Sequence, residues 1–232
     1  MRDINFLTQS LIAHRGLHND YIKENTLLAF EKAISKKLII EFDVQLTKDN
    51  YVIVFHDKTL SRMMDKKIKI KNITYDKLKK ISTYHIPLLT EVLELVNGKV
   101  PLLIELKPYK KSNILEETVV KILDNYSGKF AIQSFNPSTI YWFKKHRKHY
   151  IRGQLMTINY SYNFITNIIY KHMLFNIISK PDFISYNIKG LPSKIIAKLR
   201  KKDLIIGWTI KDKEQLIKYQ SYCDNFIVEN II

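Results

Sequence analysis

Short apolar runs alternate with helix-length amphipathic segments along almost the whole chain, and this alternation constrains the fold more than any other feature. The runs have the length of buried strands, and the segments between them carry apolar residues at helical spacing. In residues 25–36, for example, the apolar positions form one stripe that Asn25 or Thr26 can cap. Eight such strands are predicted, at residues 11–13, 38–44, 102–106, 130–133, 151–156, 183–186, 204–208 and 226–228.

A repeating strand–helix order makes neighbouring strands parallel, with right-handed crossovers. Eight units in 232 residues leave about 29 residues for each, which suits a closed (β/α)8 barrel. We therefore expect an α/β protein with the TIM-barrel fold, formed by residues 1–232 as a single domain. An open, doubly wound sheet would produce the same alternation, and the positions of the polar residues favour the barrel.

A further apolar run, residues 51–55, begins too soon after the second strand to be parallel to it. Only six residues separate it from Val44, and they include the turn-like residues 47–50. A parallel crossover needs a dozen residues or more, so an antiparallel β-hairpin is predicted above the barrel mouth, ending at His56. Residues 58–89 then form a small insertion rich in Lys and Ile.

The chain is strongly basic, with a formal net charge of +16 and a pI near 9.6. The electric field of a protein with this net charge attracts polyanions. The charge is spread along the chain and is carried mainly by lysines, which is more typical of a solvated surface than of a nucleic-acid groove. We expect no nucleic-acid partner, and the cluster at residues 144–149 is compatible with peripheral contact with an anionic membrane. These features leave the oligomeric state open.

A single cysteine, Cys223, excludes an intramolecular disulfide and favours a reducing compartment. The N-terminal residues lack the apolar core of a signal peptide, and no run reaches the ~18 apolar residues of a membrane span. We therefore expect a cytoplasmic protein with a packed thiol at Cys223.

Charged side chains end or follow three of the predicted strands. Active sites of parallel barrels lie at the carboxyl ends of the strands, and a charge buried there is costly unless it is paired or bound to a metal. The charged and histidine residues expected at these carboxyl ends are His14, Arg15, Glu41, Asp43, Glu105 and Lys107. The sequence therefore predicts a functional site at the barrel mouth.

Three carboxylates of this set have the pattern of a metal site. Glu41 and Asp43 are two residues apart on one strand, so their side chains point to the same face, and Glu105 lies on the adjacent strand. Carboxylates this close repel one another unless a cation is bound or one is protonated. All-oxygen ligation favours one divalent cation, Mg²⁺ or Ca²⁺. The alternative is structural ion pairing of Glu41 and Glu105 with Arg15 and Lys107.

Two histidines are expected at the same mouth, His14 after the first strand and His56 after the hairpin. Titration near neutral pH suits them to proton transfer in phosphodiester cleavage, one activating the nucleophile and the other protonating the leaving alkoxide. A hydrogen-bonded core histidine is the alternative for each. No role is assigned to the other five, which are His18, His85, His146, His149 and His172.

The chain resembles the glycerophosphodiester phosphodiesterase family in four segments, which read AHRGLHNDYIKENT, EFDVQLTKDNYVIVFHDKTLSR, IPLLTEVLELV and PLLIELK. The resemblance continues more loosely through QSFNP, GWTI and DNFIVEN, so it covers nearly the whole chain. His-Arg-Gly alone is a weak signal. Its combination, in order, with Glu-Asn-Thr, Glu-x-Asp, His-Asp and Ile-Glu-Leu-Lys is specific.

This resemblance implies a metal-dependent (β/α)8 enzyme that hydrolyses glycerophosphodiesters to glycerol 3-phosphate and an alcohol. It implies that His14 and His56 are the acid and base and that the three carboxylates hold the metal. The other residues it assigns are Arg15 and Lys107 for the phosphate, Trp208 for the pocket beside the glycerol, and Glu24 and Asn25 in support of the site.

Departures from the family pattern concern the rim. The sequence reads LSRMM where the family usually has Thr-Thr after Arg, residues 58–89 are a short insertion, and the last strand ends Val228-Glu229-Asn230 in place of Thr-Asp-x-Pro. The alcohol moiety of the substrate therefore stays open.

Two other functions fit parts of the sequence. A lysophospholipase D or a phosphatidylinositol-type phospholipase C has similar site chemistry, with a lipid entry formed by Tyr160, Tyr162, Phe164, Ile168 and Ile169. A catalytically inactive basic barrel would bind anionic membranes or nucleic acid through the cluster at 144–149. The complete set of acid, base and ligands favours an enzyme, and we expect small, water-soluble substrates.

Overall fold

The computed structural model describes residues 3–109, 112–157 and 173–231. The lipid entry considered above, with Tyr160, Tyr162, Phe164, Ile168 and Ile169, lies outside the described residues. The strands are β1 (Ile12–Ala13), β2 (Ile39–Leu46), β3 (Val52–Val54), β4 (Leu102–Leu106), β5 (Phe130–Ser134), β6 (Ile151–Met156), β7 (Phe183–Asn187), β8 (Leu204–Ile210) and β9 (Asn225–Val228). The α-helices are α1 (Leu27–Ser35), α2 (Ser61–Met64), α3 (Tyr75–Ile81), α4 (Leu89–Val96), α5 (Ile114–Leu123), α6 (Pro137–His146), α7 (Asn176–Ser179), α8 (Lys194–Leu199) and α9 (Lys213–Tyr219).

Eight of these strands close into a barrel. Strand β1 pairs in parallel with both β2 and β9, and the other neighbours are parallel in the order β2, β4, β5, β6, β7, β8, β9. Because the first strand joins both ends of the sheet, the doubly wound alternative is excluded. The predicted (β/α)8 barrel is confirmed.

The inward face of the barrel is apolar at one end and charged at the other. An apolar cluster takes residues from all eight barrel strands, including Ile12, Ile39 and Leu103, and such a cluster can meet only inside the barrel. Phe6 and Leu7, from a 3-10 helix before β1, belong to the same cluster and are buried. The amino ends of the strands are thus filled, and the inward charged side chains Glu41, Asp43 and Glu105 lie toward the carboxyl ends.

The hairpin predicted after the second strand is present. Val44 lies opposite Val54 and Leu46 opposite Val52, so β3 is antiparallel to β2. The amide Nε2 of Gln45, which is buried, donates to the carbonyl oxygens of Phe55 at 2.6 Å and of Asp57 at 2.9 Å. These bonds hold the residue between them, His56, at the barrel mouth.

The residues after the hairpin form a small apolar cluster of their own around Ile53. Leu60, Ile70 and Leu78 are fully buried in it. The Lys- and Ile-rich stretch forms a 3-10 turn at Ile70–Asn72 and does not extend β3.

Helix α1 lies within the stretch predicted to be helical at residues 25–36. Thr26 caps α1, its hydroxyl accepting from the backbone N–H of Ala29 at 3.3 Å, whereas Asn25 points into the barrel. Cys223 is buried, as expected for a packed thiol. Among the described residues, no helix has the length and apolar character needed to cross a membrane.

Candidate active site

Three buried carboxylates meet inside the barrel near its mouth. Glu41 and Asp43 continue the inward face that begins at Ile39 on β2, and Glu105 on β4 is the direct strand partner of Asp43. One oxygen of each lies within 4.8 Å of the other two. Glu41 and Asp43 are each 1% exposed and Glu105 is 7% exposed, so these charges are removed from bulk water.

The three carboxyl groups do not ionise independently. Burial, followed by the charges of Asp43 and Glu105, raises the pKa of Glu41 well above its usual range. Burial also raises the pKa of Glu105. For Asp43, burial acts in the same direction, but nearby cations, led by Lys107, outweigh it and lower the pKa. The cluster therefore carries more negative charge than its protein neighbours neutralise.

Two basic residues supply part of the neutralising charge. The Nζ atom of Lys107 lies 2.7 Å from Glu105 Oε1 and 3.2 Å from Asp43 Oδ1. Arg15 places its Nε atom 3.4 Å from Asp43 Oδ2 and donates its backbone N–H to Glu41 Oε2 at 3.0 Å. The ion pair considered as an alternative is therefore present between Glu105 and Lys107. Glu41, in contrast, accepts a hydrogen bond from the backbone N–H of Arg15.

The cluster fits a divalent cation. It offers three carboxylate oxygens on one face, and the contact of the buried Asp43 Oδ1 atom with Lys107, at 3.2 Å, lacks hydrogen-bond geometry. All-oxygen ligand sets suit Mg²⁺ and Ca²⁺. A bound dication would also offset the like-charge repulsion that raises the pKa of Glu41.

The loop between β1 and α1 packs against this cluster. Three of its residues adopt the left-handed backbone conformation. Arg15, Gly16 and Asn25 have φ angles of 55°, 80° and 57°. A Cβ atom at Gly16 would lie 2.8 Å from the Phe30 ring, so only glycine fits both the conformation and the packing. Asn tolerates this conformation better than most residues, and Asn25 Nδ2 donates to Asp43 Oδ2 at 2.9 Å. Asn25 therefore contacts the carboxylate cluster directly, and its supporting role stays a prediction.

The imidazole of His14 is held by a carboxylate from the last strand. Its Nδ1 atom is hydrogen-bonded to Glu229 Oε1, and Lys211 Nζ lies 3.2 Å from Glu229 Oε2. The hydrogen bond from His14 lowers the pKa of Glu229 to about 2. His18, to which the sequence assigned no role, has a ring nitrogen within 4.8 Å of ligand atoms of both residues.

The second imidazole, His56, has a similar carboxylate partner. Its Nδ1 atom lies 2.6 Å from Asp57 Oδ1, and burial lowers the pKa of this histidine. Arg62 donates to Asp57 Oδ2 through Nε at 2.6 Å, and to both oxygens of Glu24 through Nη1 and Nη2 at 2.9 and 2.6 Å. Glu24 in turn accepts from Arg15 Nη1 at 2.7 Å. A continuous chain of charged hydrogen bonds therefore joins His56 to the carboxylate cluster.

A cavity of about 430 Å³ opens beside the carboxylates and His56. Its lining includes Gln45, His56, Glu105, Lys107, Tyr109 and Phe135. The Trp208 ring meets Phe135 edge to face, with ring centroids 5.7 Å apart. The buried indole Nε1 atom of Trp208 has no hydrogen-bond partner within the described residues, so it is an available donor behind this wall.

Several residues of this site were missed by the sequence reasoning, among them Glu229 and Arg62. Glu229 follows the last residue of β9, and the rule that selected Glu105, a charged residue at a strand end, would have found it. Arg62 carries no comparable signal, because only the fold of the insertion brings it to Glu24.

Known proteins share this fold and these motifs. The model of the glycerophosphoryl diester phosphodiesterase family matches residues 14–221. The Bacillus subtilis (strain 168) protein YhdW is 28% identical over 225 residues, which cover 91% of this chain and 90% of that protein. The crystal structure of a glycerophosphodiester phosphodiesterase from Thermotoga maritima is 27% identical, with a TM-score of 0.76, and the match covers 95% of this chain and 94% of the other.

A more distant structure shares the fold. It is a phosphodiesterase of Oleispira antarctica in complex with the product sn-glycerol 3-phosphate, with a TM-score of 0.79 at 21% identity, and the match covers 96% of this chain and 93% of that one. The segment matched by the family model begins at His14 and contains every site residue predicted from the sequence. The chain belongs to the glycerophosphoryl diester phosphodiesterase family.

Proposed function

We propose that this phosphodiesterase hydrolyses glycerophosphodiesters to glycerol 3-phosphate and an alcohol, with one divalent cation and with His14 and His56 as the acid–base pair. The observation that carries the proposal is that two imidazoles, each oriented by a carboxylate, lie at the same barrel mouth as the three buried carboxylates. The substrate class is supported by the family match and by the Thermotoga maritima relative.

The phosphate of the substrate would sit against the carboxylate cluster. Mg²⁺ or Ca²⁺ held by Glu41, Asp43 and Glu105 would polarise the phosphoryl group and offset its negative charge. Lys107 lies at the edge of this cluster and in the cavity wall, where it offers a point charge to a phosphoryl oxygen. Arg15, held by Glu24, presents its guanidinium on the other side of Asp43.

The two histidines would move the protons of the reaction. A carboxylate at Nδ1 accepts the Nδ1–H of a neutral imidazole, which leaves Nε2 as the atom for proton transfer. One imidazole takes the proton of the nucleophile, which is water or the 2-hydroxyl of the glycerol, as its oxygen forms the new bond to phosphorus. The other gives a proton to the alcohol oxygen as the old P–O bond breaks. With the 2-hydroxyl as nucleophile, water then opens the resulting cyclic phosphodiester to give glycerol 3-phosphate. Glu229 and Asp57 act as positioning residues, because they set the orientation of the two rings.

The cavity beside this site would hold the organic part of the substrate. Phe135 lines it, and Trp208 packs behind Phe135. We assign Phe135 to the carbon atoms of the glycerol, and Trp208, through its packing on Phe135, to the pocket beside the glycerol. Glu24 and Asn25 support the site through their bonds to Arg15 and Asp43.

The direct test is product analysis with a panel of diesters in the presence and absence of a chelator. Glycerophosphocholine, glycerophosphoethanolamine and a lysophospholipid are suitable members. We expect glycerol 3-phosphate from the first two, no product after chelation, and recovery with Mg²⁺ or Ca²⁺. Release of phosphocholine would instead identify phospholipase-C-type cleavage, and a lack of any product under all metal conditions would identify an inactive barrel.

A further inference from the structure

Four strongly exposed apolar side chains lie on one surface of the barrel. Tyr141 is on α6, Ile177 and Ile178 are on α7, and Leu174 lies just before α7, and their exposures are 38%, 71%, 58% and 44%. The helices α6 and α7 contact each other, and Lys144 Nζ on α6 donates to the carbonyl oxygen of Ile178 at 2.5 Å. We call these two helices with Leu174 the α6–α7 surface. Exposed aliphatic groups gathered in this way are typical of an interaction site.

The same surface is strongly basic. The last turn of α6 carries Lys144, Lys145 and His146, and Lys180 follows α7 directly. The Nζ atoms of Lys144 and Lys145 each lie 5.7 Å from the centre of the Tyr141 ring. Residues 137–149 and 173–181 contain no Asp or Glu. The exposed apolar side chains therefore lie on segments that carry several cations and no acidic residue of their own.

This combination selects one kind of partner. A second copy of the chain would bring like charges together on a protein of net charge +16. Nucleic acid is held by cations and by aromatic stacking, and gives no reason for exposed isoleucines. An anionic bilayer provides both an apolar layer for the isoleucines and phosphates for the lysines. We propose that the α6–α7 surface docks on an anionic lipid membrane, with Ile177 and Ile178 at the level of the head groups.

The position of this surface sets the orientation of the docked protein. Helix α6 begins after the carboxyl end of β5 and runs back, so its basic last turn lies at the amino ends of the strands. Helix α7 likewise ends just before β7 begins at Phe183. The α6–α7 surface is thus at the end of the barrel opposite the mouth, and a docked protein turns its cavity toward the solution. Docking is independent of the proposed catalytic function.

The test is sedimentation of the full chain with vesicles of phosphatidylcholine, with and without phosphatidylglycerol. The wild type should bind the mixed vesicles, bind the neutral ones weakly, and dissociate as salt is added. Removing a basic residue near an anionic surface weakens binding roughly fivefold, so Lys145→Gln with Lys180→Gln should weaken it roughly 25-fold. Ile177→Ser should weaken it at every salt concentration.

Matched controls separate docking at this surface from a general charge effect. Ile217→Ser removes an isoleucine that is 66% exposed on α9, and Lys67→Gln with Lys69→Gln removes two exposed charges from the insertion near the mouth. Both should leave binding unchanged, apart from a small loss that follows net charge. All variants should keep the wild-type turnover of a soluble diester, which shows that they are folded.

Three results would overturn the proposal. One is equal binding to neutral and mixed vesicles, or no binding to either. Another is a loss of binding in the Lys67/Lys69 variant as large as in the Lys145/Lys180 variant. The third is concentration-dependent self-association that Ile177→Ser abolishes, because it would assign the surface to a second copy of the chain.

Discussion

Among the three buried carboxylates, Glu41 has the least support from protein cations. Arg15 reaches it through a backbone N–H, and the charges of Asp43 and Glu105 add to the burial that raises its pKa. We expect Glu41→Gln to lose metal binding and turnover while staying folded, because the amide oxygen can still accept from Arg15 and one like charge is removed. The measurements are calorimetric titration with Mg²⁺ or Ca²⁺, kcat, and thermal unfolding without metal.

A suitable control for that variant is Glu116→Gln. Glu116 is another buried carboxyl group, 3% exposed, but it lies on α5 and bonds to Thr139. It should change stability without changing metal affinity. Full activity of the wild type after exhaustive chelation would contradict the assignment of a metal site.

The two imidazoles give a second test at the scale of single residues. Loss of a positioned acid or base typically lowers the rate by ~10²–10⁴, so His14→Ala and His56→Ala should each lose at least that much kcat. The double variant should be little worse than the worse single one, because the pair acts as a unit. Exposed His85, paired with Glu91, is the control. Near-normal turnover in either single variant would reassign that histidine to a structural role.

Glu229 links the site to stability at low pH. Its pKa is lowered from 4.5 to about 2 by its bonds to His14 and then Lys211. A lowered carboxyl pKa contributes stability that is present above the unfolded-state pKa and is lost as pH falls toward the folded-state value. A shift of this size corresponds to at most about 3 kcal/mol.

The lowered pKa of Glu229 predicts how the free energy of unfolding depends on pH. The free energy of unfolding of the wild type should exceed that of Glu229→Gln at pH 5, and the difference should shrink as pH falls from 4.5 to about 2. Urea denaturation over this range measures it. A difference that does not change with pH would mean that the Glu229 charge is not held by these contacts.

At the scale of secondary structure, the inward-facing side chains of β2 have three different roles. Ile39 fills the barrel, Glu41 and Asp43 form most of the carboxylate cluster, and Gln45 holds the end of the hairpin. The strand can combine these roles because every second side chain points inward. A one-residue slip of register would therefore remove the core contact, the two carboxylates and the position of His56 together.

One side chain of the insertion after β3 forms ion pairs with two residues of the site. Arg62 on α2 bonds both Asp57 and Glu24. We expect Arg62→Lys to lower kcat more than it changes KM, because an ammonium group cannot make the forked contacts that position His56 and Arg15. Since Arg62 is 49% exposed, little change in stability is expected.

The matched control for the insertion is Arg147→Lys. Arg147 makes a similar forked pair with Asp124, far along the chain from the site, at α6. Steady-state kinetics should show wild-type turnover for it. If Arg62→Lys behaved in the same way, the contact of the insertion with the site would be structural only.

At the scale of the whole molecule, the two ends of the barrel differ in character. The mouth combines charged groups with a cavity of about 430 Å³, while the exposed isoleucines lie at the opposite end. We therefore expect kcat/KM for glycerophosphocholine to exceed that for lysophosphatidylcholine. A large advantage for the acylated substrate would overturn this prediction. Substitution of Tyr160 or Phe164, in the part of the chain outside the described residues, would then be expected to remove that advantage.

Much of this structure could be predicted from local sequence patterns, as β2 and the helices illustrate. Strands and helices are encoded by short-range periodicity, so β4 has the predicted ends and α1 lies within the predicted stretch 25–36. The hairpin follows from a connection too short for a parallel crossover. The carboxylate cluster follows from two further facts, the spacing of Glu41 and Asp43 and the rule that parallel strand ends share one edge. The roles assigned to Trp208 and to the metal stay predictions.

Other parts depend on contacts between residues far apart in the chain, and only the tertiary structure decided them. Glu229 meets His14 across 215 positions because β9 closes the barrel against β1. The bonds of Arg62 to Glu24, and the gathering of Ile177 with Tyr141 on one surface, depend on how the insertion and the outer helices pack. The sequence by itself thus determined the elements, the barrel and the residue types at its mouth, since these follow from periodicity and strand direction. The orientation of the proposed catalytic groups and the character of the opposite end required the closed barrel, because local patterns carry no information about which distant side chains will touch.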